Sequence, residues 1–273
     1  MKPPTFDYVR AESVQEAVQT LAANGDEARV LAGGQSLMAM LNMRLLHPSV
    51  IVDIGAIDAL NYVRIDGDEV EIGAAMTQAE LWKRPECRQH LPLLTKALPH
   101  IGHWQTRNRG TICGSLAHAD PSSELPLCLA VTEGSVVLES QSGRRVIKAD
   151  DFQTGMLSTA KREDEMLIAA RFPKARPGIG YGFSEFARRH GDFAIVAVAA
   201  VADGSTIRVA VGGIADRPAV LRLGDTDAMD EMLNRFAWEL GGTDDIHATA
   251  KLRRNLVRTL GKKTIEDALA CRG

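Results

Sequence analysis

The sequence lacks the cysteine spacing that metal clusters and disulfide frameworks need. Its four cysteines stand at positions 87, 113, 128 and 271, far apart and never as a CxxC pair. Iron–sulfur clusters and structural zinc sites are held by closely spaced thiolates, and a disulfide scaffold needs a denser pattern in a shorter chain. We therefore expect no cluster on this chain, so any cluster chemistry must belong to another one.

Long apolar runs and an excess of one charge are also missing. The longest apolar run, Phe193 to Ala202, is shorter than the roughly 20 residues of a membrane-spanning helix and is typical of a buried strand. A formal net charge of −3 over 273 residues lacks the basic footprint of a nucleic-acid-binding protein. The N-terminal residues have neither an apolar signal segment nor a twin arginine. These absences predict a cytoplasmic protein without a membrane span.

The first 60 residues predict a βαβ-like unit. Ser13 and Glu16 have the spacing of a capping box, and an apolar stripe at helical spacing follows until Gly25. Apolar runs at 28–32 and 50–54 predict strands, and a short helix is expected at 35–43 between them.

From residue 61 onward the pattern changes to hairpins. The hairpins are predicted at 62–72 and 135–147, helices at 78–82 and 91–98, and a further strand at 165–172. Lys174 to Gly178 has the composition of a linker. Beyond it we expect strands at 182–187, 193–202 and 206–212 and helices at 227–240 and 247–260. The sequence thus predicts an α+β protein of two domains, 1–175 (with subdomains of about 1–60 and 61–175) and 176–273.

One glycine-bearing segment follows the second predicted strand. Gly33 and Gly34 stand between that strand and a short helix, where glycine lets backbone approach a phosphate and free N–H groups attract an anion. A tight turn between strand and helix explains the same pattern. The segment matches neither GxGxxG nor the phosphate-binding P-loop.

A second glycine-bearing segment runs from Arg107 through Gly114 to Leu125. In its structural interpretation it is a loop, a strand and a turn that begins at Asp120-Pro121. In its functional interpretation the small residues, hydroxyl groups and a carboxylate suit a ribityl or ribose chain. The residues alone leave both interpretations open.

Other polar sets predict no chemistry. His100, His103 and His118 lack a suitably spaced Glu or Cys to complete a metal site. Asp120 and Glu124 have no further sign of a sugar-cleaving acid/base pair. The basic run of the last helix is interpreted as a solvated face; it comprises Lys251, Arg253, Arg254, Arg258, Lys262 and Lys263. No catalytic or metal-binding residue is assigned.

Taken together, the two segments resemble the FAD-binding subunit of the xanthine dehydrogenase and carbon monoxide dehydrogenase family. The family's first flavin motif is similar to Ala32-Gly33-Gly34-Gln35-Ser36-Leu37, and its second to Arg107-Asn108-Arg109-Gly110-Thr111-Ile112-Cys113-Gly114-Ser115-Leu116. Further similarity extends through Val52–Ile54, Asp120-Pro121, Gly155–Thr159 and Arg188–Ala194, in order and over nearly the whole chain.

The resemblance implies a set of FAD-binding residues. Residues Ala32, Gly33, Gly34, Gln35 and Ser36 would wrap the FAD pyrophosphate, and Thr111, Ile112, Cys113, Gly114 and Ser115 would contact the pyrophosphate and ribityl from the other side. Glu124 would touch the ribityl, and Ile168 would lie near a ring system. The implied fold is a two-part FAD-binding domain of the PCMH/VAO type followed by a small α/β C-terminal domain of the CO dehydrogenase flavoprotein type.

Two positions depart from the family pattern. Cys113 replaces a glycine of the second motif, so the backbone there must accommodate a Cβ. Glu185 stands where relatives often carry a lysine near the flavin, which puts a positive charge over the flavin in doubt.

The resemblance also implies a function within a complex. Non-covalently bound FAD would take electrons from the iron–sulfur clusters of a small subunit, which a molybdopterin large subunit reduces, and pass them to an external acceptor. NAD, a quinone and a cytochrome all remain open as that acceptor. One alternative is a self-sufficient FAD-dependent oxidase or dehydrogenase with its own organic substrate, and another is a scaffold without flavin.

Overall fold

The computed structural model describes residues 2–224 and 228–272. It contains strands and helices throughout, which confirms the α+β class. The N-terminal unit is a three-stranded parallel sheet in the order β1-β3-β2. Its elements are β1 (Asp7–Arg10), α1 (Val14–Asn24), β2 (Ala28–Leu31), α2 (Leu37–Asn42) and β3 (Val50–Asp53).

Helix α1 begins and ends where the sequence predicts. The Ser13 side chain accepts a hydrogen bond from the Glu16 N–H at 3.1 Å, and Gly25 ends the helix at φ 52°. The returning half of the capping box differs from the prediction, because the Glu16 carboxylate accepts from the N–H of Glu12 at 2.8 Å.

A five-stranded antiparallel sheet in the order β4-β5-β10-β6-β7 forms the middle of the chain, which confirms both hairpins. Its strands are β4 (Val63–Asp66), β5 (Glu69–Gly73), β6 (Ser135–Ser140), β7 (Gly143–Lys148) and β10 (Met166–Pro173), and β8 (Gln153–Gly155) pairs with β9 (Ser158–Thr159). Between these strands lie α3 (Gln78–Lys83), α4 (Pro85–His90), α5 (Pro92–Ala97), α6 (Trp104–Arg107), α7 (Ile112–His118), α8 (Glu124–Val131) and α9 (Ala149–Phe152).

The strand in the structural interpretation of the second glycine segment is wrong, because α7 occupies that place. Ile112 and Leu116 bury one side of this helix, and the Thr111 side chain caps it by accepting from the Gly114 N–H at 2.9 Å. The turn is confirmed: Asp120 Oδ1 accepts from the Ser122 N–H at 2.8 Å.

The C-terminal part is a four-stranded antiparallel sheet covered by helices on both faces. It comprises β11 (Ile179–Phe186), β12 (Val196–Asp203), β13 (Thr206–Gly212), β14 (Ala219–Leu223), α10 (Met229–Leu240) and α11 (Ala250–Ala270). The last helix continues ten residues beyond its predicted end at 260. The predicted start of α10, Asp227, lies outside the described residues. Over residues 2–224 and 228–272, no helix is both long and apolar enough to span a membrane.

Strand β12 is shared by two apolar clusters, because alternate side chains of a strand point to opposite faces. Ala197, Ala199 and Val201 belong to the larger cluster. This cluster also contains most of the buried apolar residues between positions 11 and 181. Val196 and Val198 face the second cluster, under α10 and α11. Helix α8, which is apolar and buried after its first residue Glu124, packs against β12 and β13 on the first face. The C-terminal sheet therefore supports the helices that follow the second glycine segment.

Arg253 contradicts the interpretation of the last helix's basic run as wholly solvated. Its side chain is 8% exposed and donates to the carbonyls of Ile195 and Gly213 at 2.8 Å each and to Asp245 at 2.6 Å. These bonds connect α11 to the start of β12 and the end of β13. Arg253 is buried because it lies one turn from buried Val257 on the same face of the helix.

Replacing Arg253 should therefore destabilise the protein. In Arg253→Met one buried and one half-buried carbonyl lose their donor, so the free energy of unfolding should fall by about 2–4 kcal/mol. Urea unfolding followed by circular dichroism measures this change. Lys251→Met, an exposed position on the same helix, is the matched control and should unfold like the parent; equal stability of the two variants would contradict the role given to Arg253.

Candidate cofactor-binding site

A cavity of about 710 Å³ lies where the N-terminal unit meets α7 and α8. Its volume is within the range of small-molecule and cofactor sites. Both glycine-bearing segments line it, as do residues of β10 and the loop before β12. The two segments that resemble the family's flavin motifs therefore lie at the same cavity.

The first glycine segment leaves β2 and enters α2 along the cavity wall. Gly34 has a φ of 69°, a conformation that favours glycine. The Gln35 amide donates to the Gly33 carbonyl at 3.1 Å, and Ser36 precedes the helix without capping it through its side chain. Free N–H groups at a helix start attract anions, so this segment is suited to a phosphate.

Backbone hydrogen bonds with the start of α3 and the residues before it hold the second glycine segment in place. The Gln78 N–H donates to the Gly110 carbonyl at 2.8 Å, and the Ile112 N–H donates to the Met76 carbonyl at 3.3 Å. Thr77 pairs with Thr111 in an isolated bridge. These bonds fix the residues that enter α7 against the cavity.

The two glycine segments touch each other through their backbones at Gly33. A Cβ at this position would lie 2.1 Å from the Arg109 carbonyl oxygen and 2.7 Å from the Gly110 Cα. Gly114 is less crowded, since its Cβ would meet Thr111 Oγ1 at 2.8 Å and the Ala32 Cβ at 3.9 Å. The contact between the segments thus requires glycine at 33 irrespective of any ligand.

Most of the predicted FAD-binding residues line the cavity, and two do not. The lining members are Ala32, Gly33, Gly34, Gln35, Ser36, Thr111, Cys113, Gly114, Ser115 and Glu124. Ile112 is 0% exposed and points into the core. Ile168 is the bulge residue of β10, buried at 4%, and its carbonyl accepts from the N–H of Ala74. Met166 and Leu167, its neighbours in β10, line the cavity in its place.

The Cys113 side chain is accommodated in the core, against strand β5. Its thiol donates to the Ile72 carbonyl of β5 at 3.6 Å, and the residue is 2% exposed. Burial raises the pKa of the Cys113 thiol far above its usual range. The departure from the family glycine therefore adds a neutral thiol to the core and leaves the backbone of α7's first turn at the cavity.

Glu124 is a buried acid on the cavity wall. It is the first residue of α8 and only 4% exposed. Burial is the main reason that its pKa is raised to about 8, and the negative charge of Glu185 contributes to that increase. A carboxyl group with this pKa is mostly protonated at neutral pH, so it can donate a hydrogen bond to a ligand.

Glu185 belongs to a different environment from the one its family position suggested. Its side chain is 6% exposed, and Oε1 lies 3.2 Å from the Nδ1 of His100. That hydrogen bond raises the pKa of His100. Neither Glu185 nor His100 is among the residues that line the cavity, but the charge of Glu185 contributes to the raised pKa of Glu124, which does line it.

Gln78 and Lys161 line the cavity but were not predicted. Gln78 is 3% exposed, and its Oε1 has no hydrogen-bond partner among the described residues. Lys161 donates to the carbonyls of Arg162 and Glu165, and burial lowers its pKa. The sequence contains one indication of Gln78's position, the capping box of Thr77 and Glu80. This motif places Gln78 at the start of a helix, which in the structure lies beside Gly110.

The histidines form no metal site in the part of the chain that the structure describes. His100 pairs with Glu185, while His103 stacks with His190 at 6.2 Å between ring centroids. The cavity is lined by the backbone of two glycine segments, by a buried amide whose Oε1 can accept a hydrogen bond, and by the Glu124 carboxyl group, which can donate one. These polar groups suit an elongated ligand with phosphate, hydroxyl and ring-amide groups, as FAD has.

Comparison with known proteins gives the same result. Residues 4–175 match the family model described as FAD binding domain in molybdopterin dehydrogenase. The nicotine 6-hydroxylase medium subunit of Paenarthrobacter nicotinovorans is 38% identical, covering 98% of this chain and 99% of that one. A 6-hydroxypseudooxynicotine dehydrogenase complex subunit alpha from the same organism is 34% identical over 98% of this chain and 96% of its own length. A carbon monoxide dehydrogenase structure from Hydrogenophaga pseudoflava superposes with a TM-score of 0.93 at 32% identity, covering 99% of both chains.

Alanine at position 33 should separate the two glycine segments and weaken FAD binding. Because the new Cβ would stand 2.1 Å from a carbonyl oxygen, one segment must move. We expect affinity for FAD to fall by roughly tenfold or more, which corresponds to about 1.4 kcal/mol. Gly224→Ala is the matched control, since a Cβ there meets nothing within 4 Å. Titration of the apoprotein with FAD measures both, and unchanged affinity in Gly33→Ala would show that the segments do not cooperate.

Proposed function

The chain belongs to the family of FAD-binding domains of molybdopterin dehydrogenases, and from this membership we propose that it is the FAD-carrying medium subunit of a multi-subunit molybdenum hydroxylase. The observation that carries the proposal is the contact at Gly33, which joins both family motifs over one cavity. A molybdopterin subunit and an iron–sulfur subunit would be its partners.

Different residues of the cavity would bind different parts of FAD. The backbone of 32–36 and the first turn of α7 would hold the pyrophosphate, because both segments line the cavity and precede or begin a helix. Glu124 would donate a hydrogen bond toward the ribityl, and the Gln78 amide would supply a further polar contact. Met166, Leu167 and Phe193 provide apolar surface for a ring system. Ile168 contributes by holding β10 against Ala74.

FAD, when bound, supplies the capacity to accept electrons singly and to release them in pairs. The chain's own residues hold the cofactor, keep water from its buried parts and set the local charge. Within the described residues no set of His, Cys, Asp or Glu is placed to bind a metal. Under this proposal, which rests on the family membership, the electrons come from the clusters of a partner subunit, and the organic substrate is bound by another subunit. The names of the relatives cite different substrates for subunits of similar sequence. This difference supports a substrate site on another subunit.

We further propose the domain boundary and the compartment. The family match ends at residue 175 and the C-terminal sheet begins at Ile179, which supports an FAD-binding domain of 1–175 and a second domain of 176–273. All four cysteines are free, as expected for a cytoplasmic protein kept reduced.

The first test of this function concerns how FAD is held. The Cys113 thiol points into the core, and the polar groups of the cavity suit hydrogen bonding, so the flavin should be non-covalent. After denaturation and filtration, all of the yellow colour should pass the membrane and be identified as FAD. Flavin retained on the polypeptide, for instance on His118 at the cavity, would contradict the binding mode, and a colourless protein would favour the scaffold.

The second test concerns the source of electrons. In a reconstituted complex, the hydroxylase substrate should bleach the flavin only when the molybdenum and iron–sulfur subunits are both present. The isolated chain should remain oxidised with that substrate and still be reducible by dithionite. Stopped-flow absorbance measures both rates. Reduction of the isolated chain by substrate at the turnover rate would replace this proposal with the self-sufficient dehydrogenase.

A further inference from the structure

One residue of the cavity wall has an unusual backbone conformation. Among the described residues, four that are not glycine have a positive φ: Arg44, Ala119, Glu133 and Leu157. The first three stand just after α2, α7 and α8, where a left-handed residue commonly ends a helix. Leu157 has a φ of 52° and is the one of these four that lines the cavity. A helix end therefore does not explain its conformation.

Leu157 belongs to the tip of the hairpin formed by β8 and β9. A turn that needs a positive φ ordinarily has glycine or asparagine there, because this conformation brings the Cβ of other residues too close to a carbonyl oxygen. Such strain persists only where the surrounding structure fixes it, and it is frequent at ligand sites.

Two hydrogen bonds fix the tip in place. The Leu157 N–H and the Gln153 side-chain amide both donate to the Ala119 carbonyl, at 3.1 and 2.8 Å. Gln153 is buried, so this attachment is part of the core and does not depend on a ligand. Ala119 directly follows α7, whose first turn belongs to the second glycine segment. The hairpin tip and that glycine segment are therefore held by the two ends of one helix.

The position of the Leu157 side chain is also unfavourable in the chain without a ligand. The residue is 48% exposed at the cavity, so an apolar side chain is held in water by a strained backbone. An exposed leucine alone is ordinary, but the two features together favour a residue that a ligand covers. We propose that Leu157 packs against a ring of the bound cofactor and positions it, an inference that rests on the proposed function as an FAD subunit.

A ring is the part of FAD that suits this side chain. The faces of the adenine and isoalloxazine rings are apolar, whereas the pyrophosphate and the sugar-like chains are polar. Helix α7 comprises seven residues and is therefore about 10 Å long. This length separates Ala119 from the first turn of α7, where the pyrophosphate would be held. The tip accordingly lies at a distance that suits one of the two rings at the ends of FAD.

Replacing Leu157 should weaken FAD binding without destabilising the protein. Glycine and asparagine both adopt a positive φ readily, so the apoproteins of Leu157→Gly and Leu157→Asn should unfold in urea at or above the parent's midpoint. Both variants lose the apolar contact, so the dissociation constant for FAD should rise roughly fivefold or more. Flavin fluorescence during titration of the apoprotein measures the affinity, and circular dichroism measures the unfolding.

Two further variants are matched controls. Arg44→Gly also replaces a residue of positive φ, 58°, at an exposed position outside the cavity lining. It should be at least as stable as the parent and bind FAD with the parent's affinity. Met156→Gly removes the neighbouring side chain, which is 58% exposed and does not line the cavity. This variant should also retain the parent's affinity for FAD.

Competition with ADP and with FMN identifies the ring, because ADP carries the adenine alone and FMN the isoalloxazine alone. In the Leu157 variants the affinity for one of these fragments should fall and the affinity for the other should stay unchanged. Parent-like affinity for FAD and for both fragments, or affinity lost together with the stability of the apoprotein, would overturn the role of Leu157. A parent protein that binds no FAD would instead refute the proposed function.

Discussion

The backbone contact between Gly33 and the Arg109 carbonyl is the constraint on which the site depends. It brings two segments about 80 positions apart in the chain to one cavity, and it tolerates no side chain at position 33. The parallel sheet fixes the first segment, since β2 delivers it to the cavity edge. The start of α3 and the buried helix α8 fix the second. The proposed cofactor site therefore depends on one packing contact between the two segments.

Local signals made much of the fold predictable. The Ser13 cap, the Gly25 stop and both hairpins are encoded by neighbouring residues, so the sequence alone was sufficient for them. The strand in the second glycine segment was wrong because Thr111 as an N-cap, and the burial of Ile112 and Leu116, become evident only against the sheet. Arg253 likewise resembles a surface residue until the carbonyls of β12 and β13 surround it.

The candidate site was predictable where backbone motifs define it and less so where side chains from distant elements do. The segments at 32–36 and 111–115 carry their own signature. Gln78 reaches the cavity only because α3 supports Gly110. The pairing of Glu185 with His100 joins β11 to the turn after α5. No local sequence pattern predicts such a long-range contact.

Hydrogen exchange of the apoprotein with and without FAD tests the central claim most directly. If one packing contact unites the two segments, adding FAD should protect the amides of 33–36 and of 111–115 together and to a similar extent. The C-terminal helices should serve as an unaffected internal reference. Protection of one segment alone, or FAD binding that protects neither, would contradict a cofactor site built on the contact at Gly33.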